Sequence, residues 1–166
     1  MSLKGINIKM NHIIICAIIV IVMVVVDQVS KVIAFNNLDP NVRYTVIPHV
    51  VDYQLVKNRG AMFGIMQGQK TLFIIVTFVG YFIFLFLLKD GDINTMPFYT
   101  IGLSLMIAGT IGNFIDRVSL SYVRDFLCFG FWDSFPSFNV ADMCMCVGIT
   151  MFIIDTLFGG AKHIWK

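Results

Sequence analysis

Four aspartates, Asp27, Asp116, Asp125 and Asp142, stand in or beside long apolar stretches of this 166-residue chain. Asp142 is the sharpest case, because it lies inside FNVADMCMCVGITMFII, which otherwise reads as a membrane span. An ionised aspartate costs roughly 2.5–3.5 kcal/mol at the centre of a membrane helix, so a carboxylate there asks for a reason. Two carboxyls that share a site cannot both ionise readily, since like charges repel strongly in a low dielectric. The ionised member can activate water while its protonated partner polarises a carbonyl, which together would hydrolyse a peptide bond.

Other chemistries fit these residues less well. Ser119, Ser121, Ser134 and Ser137 have no evident histidine or lysine base beside them. Cys128 lacks a histidine partner unless His49 folds over it, and His12, His49 and His163 have no metal-ligand spacing. Cys16, Cys144 and Cys146 read as small apolar filling. No metal or cofactor is therefore expected. Each aspartate also has a plainer reading. Asp27 precedes Lys31 by one helical turn and can form a local ion pair. Asp116 can anchor the end of a span, and Asp125, in an aromatic loop, can simply be solvated.

The elements that must position these groups are membrane helices. The chain is 58% hydrophobic and 13% charged, against about 25% charged in soluble domains, with mean hydropathy +0.84. Its apolar excess must face lipid. A net charge of +2 gives no case for nucleic acid. Four stretches approach the ~20 residues that a bilayer core requires: residues 13–35, 71–88, 93–115 and 138–158. Lys4 and Lys9 before the first give it a signal-peptide look, but no cleavage site follows promptly, so it is expected to be a retained helix. In the third, Ala108 and Gly112 have the spacing of a close helix contact. RYTVIPHVVDYQLV (43–56) is rich in β-branched and aromatic residues and predicts short strands, interrupted at Pro48. The aromatics of 126–135 suit the headgroup level.

Consecutive spans alternate in direction, which gathers polar groups at one end. The end of span one, the start of two, the end of three and the start of four share a side, and there lie Asp27, Lys31, Asn58, Arg59, Asn113, Asp116, Arg117, Asp125, Asn139 and Asp142. Lys4, Lys9, Lys89, Lys162 and Lys166 fall on the other side and seven Lys/Arg on this one, so a simple positive-inside count leans against cytoplasmic termini. Lys31, Arg59, Arg117 and Arg124 adjoin the aspartates or the cluster, however, where they would serve a site rather than set topology.

Five ordered motifs then carry a resemblance: DQVSK (27–31), NRGAMFG (58–64), GNFIDRV (112–118), VRDF (123–126) and FNVAD (138–142). The chain resembles the bacterial lipoprotein signal peptidases, the type II signal peptidases. That resemblance implies an all-α polytopic membrane protein of one domain, residues 1–166, with four transmembrane helices, a small outer-facing β-cradle and an interfacial loop or helix. It implies an aspartic endopeptidase of the bacterial cytoplasmic (inner) membrane, with cytoplasmic termini and a site near the outer leaflet. The substrate implied is a prolipoprotein cut just before a diacylglyceryl-modified cysteine, the inhibitor globomycin, and the enzyme a monomer in contact with membrane lipid. The catalytic pair would be Asp125 and Asp142, lined or supported by Asn58, Gly60, Asn113, Arg117, Asn139 and Ala141, with Asp27 and Asp116 nearby. Met62, after Ala61, is bulkier than the family's usual small residue, and Cys128 stands where many members carry a second aspartate. Arg124 stands where the family is often aliphatic, and is expected to lower the pKa of Asp125. A proton-relay transporter using Asp27, Asp116 and Asp142 is the competing reading, and a purely structural membrane subunit another; the first predicts polar residues along whole spans, whereas span two is uncharged.

Overall fold

In the computed structural model, residues 3–60 and 69–159 are described, with side chains from His12 onward except that of Lys70. The order of elements is α1 (Leu3–Asn37), β1 (Tyr44–Ile47), β2 (Val51–Asn58), α2 (Lys70–Leu88), α3 (Pro97–Leu120), β3 (Val123–Phe129) and α4 (Val140–Phe158). Four of these helices contain segments long and apolar enough to cross a membrane: His12–Asn37, Thr71–Leu88, Pro97–Leu120 and Val140–Phe158. Ile18, Ile21, Val79, Phe82 and Ile153 are among many large apolar side chains left exposed on them. In water that surface would be costly; in hydrocarbon it is matched.

The third helix begins and ends later than its hydropathy predicts. Pro97 occupies its first turn, where a missing N–H costs nothing, and Asp92 holds the preceding turn by accepting from the Asn94 N–H at 2.9 Å. Its far end reaches Leu120, so Asp116 and Arg117 lie within the helix. Ser121 then turns the chain through a left-handed conformation (φ 67°) into β3.

α3 is the central post of the bundle, with Tyr99, Leu103, Met106 and Ile107 buried. Phe84, Leu87 and Leu88 of α2 and Phe152 of α4 pack against that core. Asp155, buried near the end of α4, accepts the Tyr99 N–H at 2.7 Å and so satisfies a free donor in the first turn of α3. Glycines bring α3 and α4 together. A Cβ on Gly148 would sit 2.6 Å from the Gly102 carbonyl oxygen, and one on Gly102 would sit 2.7 Å from the Gly148 carbonyl oxygen. Gly148→Leu should therefore destabilise the protein by about 1–3 kcal/mol or more. Thermal unfolding in detergent, beside the lipid-facing Ile149→Leu as control, measures it; equal midpoints would refute the close approach.

The three strands form an antiparallel sheet in the order β1-β2-β3. The turn around Pro48 separates β1 from β2, and β3 returns along β2 with Val56 opposite Asp125 and Asn58 opposite Val123. A register shift between Tyr53 and Val56 bends β2 near that pairing. The segment from Gly130 to Phe138 consists of turns and extended chain rather than helix, and its end bonds back to β3, Phe138 accepting from Phe126 and Leu127 at 3.0 and 2.9 Å. Phe129, Phe135 and Phe138 stack there at centroid distances near 5–6 Å, while Phe131 and Trp132 stay exposed.

Candidate active site

Strand β3 delivers Asp125, and the first turn of α4 delivers Asp142, to one end of the bundle. Asp125 is almost fully buried and Asp142 half-buried in a cavity of about 470 Å³ that they line together with Asn58, Gly60, Asn113 and Arg117. Asn139 joins the two aspartates. Its side-chain nitrogen donates to Asp125 Oδ1 at 2.6 Å, and its backbone N–H donates to Asp142 Oδ2 at 3.1 Å. The Asp142 N–H returns a bond to Asn139 Oδ1 at 3.0 Å, completing a reciprocal cap on α4. The motif that starts the helix is thus the motif that couples the two carboxyls.

Three amides surround the pair, and each is oriented by a group that can only donate. The Gly60 N–H bonds to Asn58 Oδ1 (2.9 Å), so Asn58 turns its NH₂ to Asp125 Oδ2 (3.0 Å). The Lys31 ammonium bonds to Asn113 Oδ1 (3.1 Å), so Asn113 turns its NH₂ to Asp142 Oδ1 (2.8 Å). The Asp142 N–H fixes Asn139 in the same way. All four carboxylate oxygens accordingly receive a hydrogen bond, and in every case from a neutral amide. Burial pushes the Asp125 carboxyl up to about 7, and the neighbouring Asp142 charge adds to that rise.

Lys31 and Arg124 pair with other carboxylates. Lys31, fully buried, pairs with Asp27 at 2.8 Å and Asp116 at 3.6 Å. Asp27 also accepts the Ala141 N–H at 2.9 Å, which pins α1 to the start of α4. Position 112 must be glycine for this approach, since a Cβ there would sit 2.6 Å from Asp27 Oδ2 and 3.1 Å from the Ala141 Cβ. Asp116 accepts both the side chain and the backbone N–H of Arg124, at 2.7 and 2.9 Å, and so holds β3 to the end of α3. Asp27 and Asp116 therefore brace the site from behind.

One expectation is corrected. Successive residues of a strand face opposite ways, so Arg124 turns from Asp125 toward Asp116 and Gln28. It does not lower the Asp125 pKa, which is raised. Ala61 and Met62 lie outside the described residues. Cys128 bonds through its thiol to the Asp52 carbonyl (3.5 Å). Gln28, not singled out in the sequence, links Asp27 (3.0 Å), the Gly112 carbonyl (3.0 Å) and Arg124 (2.9 Å); its place beside Asp27 in DQVSK was the available signal. Arg43 was likewise missed. It ties Asp52 to Asp133 and to the Phe129 carbonyl, fastening the aromatic segment to the sheet. Nothing in the types or spacing of these residues announced that link.

With this geometry in place, the chain can be set beside known proteins. The family described as signal peptidase (SPase) II matches residues 19–158. Lipoprotein signal peptidases of Staphylococcus aureus strains MRSA252 and JH9 are each 36% identical over 143 residues, covering 84% of this chain and 85% of theirs. Two solved structures described as a bacterial membrane enzyme, at 2.3 and 1.9 Å resolution, superpose with TM-scores of 0.78 and 0.77. Their identities to this chain are 35% and 34%; each alignment covers 86% of this chain, and 87% and 92% of theirs. The relay reading finds no support in any of these. Four apolar helices, a three-stranded sheet and this family match agree: the chain belongs to the signal peptidase II family, membrane aspartic peptidases that remove signal peptides from prolipoproteins.

Proposed function

We propose that Asp125 and Asp142 are the catalytic pair, and that this single membrane-embedded unit cuts just before a diacylglyceryl-modified cysteine. The observation that carries the reading is Asn139, which bonds both carboxyls at once where they open on one cavity. Asp125, with its pKa near 7, holds the shared proton and donates it to the scissile carbonyl oxygen. Asp142 takes a proton from the attacking water. The tetrahedral gem-diol collapses as Asp142 passes the proton it took from water to the leaving amine and Asp125 takes back a proton from a diol hydroxyl, so the pair is regenerated and no covalent enzyme intermediate forms. Arg117, lining the same cavity with its guanidinium over the Phe73 ring (5.1 Å), orients the substrate backbone.

The termini lie in the cytoplasm, the site faces the outer leaflet, and the enzyme works as a monomer in contact with membrane lipid. Two acyl chains on the cysteine keep the scissile bond at the depth of the cavity, and globomycin occupies that cavity in competition with substrate. The test is cleavage of one precursor in detergent, with and without its diacylglyceryl group, the new terminus being read by mass spectrometry. Cutting of the lipidated form alone, with the cysteine as the new N-terminus, is the expected result; equal cutting of the unlipidated form would refute the lipid requirement.

The pH dependence follows from Asp125. Activity should fall as pH rises, with a midpoint near 7, because the general acid is lost there. An unfolded aspartate titrates near ~3.9, so between about 4 and 7 the folded chain binds the extra proton. The stability this group contributes is complete below ~4 and is lost as pH rises through about 7. A pH–rate profile with no alkaline limb between about 6 and 8 would contradict this proton assignment.

A further inference from the structure

At the end of the bundle that holds the carboxylates, the lysines and arginines whose side chains are described divide into two sets. Lys31 pairs with Asp27 and Asp116, Arg43 with Asp52 and Asp133, and Arg124 with Asp116. Lys57, Arg59 and Arg117 form no ion pair with a carboxylate among the described residues, and the segments outside the description contain no Asp or Glu. These three converge on one place. Arg59 and Arg117 line a second cavity of about 380 Å³, beside the catalytic one, and Lys57 lies 5.5 Å from the ring of Tyr122 on its wall. Among the described residues no aspartate lines this cavity.

Its other walls are apolar. Phe73 comes from the first turn of α2 and Leu120 from the last residue of α3, so the cavity sits where two spans end. That is the depth of lipid headgroups. A concave site with two guanidinium groups, a third cation at its edge and no carboxylate focuses positive potential into a small volume. Arginine favours phosphate oxygens, which accept two parallel hydrogen bonds from its fork.

We propose that this cavity is an anion site that takes a phosphate group, supplied by a phospholipid headgroup or by free phosphate. It gives a ligand to the three cations that form no ion pair among the described residues. The site stands apart from the choice of catalytic aspartates, and its test reads binding rather than cleavage.

The purified full chain in neutral detergent would be titrated with phosphatidylglycerol, phosphatidylcholine or inorganic phosphate while its thermal unfolding midpoint is followed. Phosphatidylglycerol should raise the midpoint saturably in the wild type and in Arg43→Gln, which removes one cation from the same end but outside the cavity. In Arg59→Gln the half-saturating concentration should rise about tenfold, as loss of a charge-assisted contact predicts. Lys57→Gln, at an exposed residue, should give a smaller rise in the same direction. A matching saturable shift with inorganic phosphate assigns the site to the free anion, and a shift with phosphatidylglycerol alone assigns it to the lipid. Equal shifts with phosphatidylcholine, equal weakening in Arg43→Gln and Arg59→Gln, or no saturable shift at all would overturn the proposal.

Discussion

Asp125→Asn and Asp142→Asn should each lower prolipoprotein cleavage by about 10²–10⁴-fold or more while leaving a folded protein. The reason lies in what each carboxyl must do. At position 125 an amide cannot deliver a proton to a carbonyl oxygen; at position 142 it cannot accept one from water. Both side chains keep nearly the same shape, and the α4 cap retains the Asn139–Asp142 backbone bond, so the fold should survive. The double variant should be scarcely worse than either single one, because the two groups act as a unit. Initial rates on a lipidated precursor, beside unfolding midpoints, decide the matter. Either single variant turning over within about tenfold of the wild type would break the pair.

Lys31→Met should be the most damaging substitution away from the carboxyl pair. The ammonium is fully buried and holds Asp27, Asp116 and Asn113 together. Methionine fills much of the space but leaves two buried carboxylates without that counter-charge. Removing one partner of a buried ion pair costs about 3–5 kcal/mol, and the loss should lower the unfolding midpoint by roughly 6–20 °C. Asn113 also loses one of the two donors that orient its amide, the Asn139 NH₂ at 3.1 Å being the other, so surviving protein should cleave more slowly. Adding Asp27→Asn should recover part of the midpoint, since it removes one stranded charge. A Lys31→Met protein as stable as the wild type would show that the ammonium is not the keystone of this end of the bundle.

What the sequence made legible follows from which forces act over short stretches. Hydropathy located the four spans, because burial in lipid is decided within about twenty residues. Alternation of direction then put Asn58, Asn113, Asn139, Asp125 and Asp142 at one end without any side-chain detail. The error at α3 is instructive. Asp116 and Arg117 look like the polar exit from a span, yet the helix continues to Leu120 because Arg124 and Lys31 neutralise Asp116 from other elements. No window of local sequence contains that fact. The direction of Arg124 was equally hidden, because it depends on which face of β3 meets the bundle. The orientation of the three amides is a property of the assembled network: Lys31, Gly60 and the Asp142 N–H each leave only one way for an amide to turn.

The central claim is that one proton resides on the Asp125–Asp142 pair near neutral pH, held by Asp125. Infrared difference spectroscopy of the purified protein, titrated across about pH 5 to 9, observes it through the carbonyl stretch of a protonated carboxyl. A band that fades with a midpoint near 7 in the wild type and is missing from Asp125→Asn is the predicted result. A wild-type spectrum with no protonated carboxyl titrating in that range, or one whose band persists unchanged in Asp125→Asn, would contradict it.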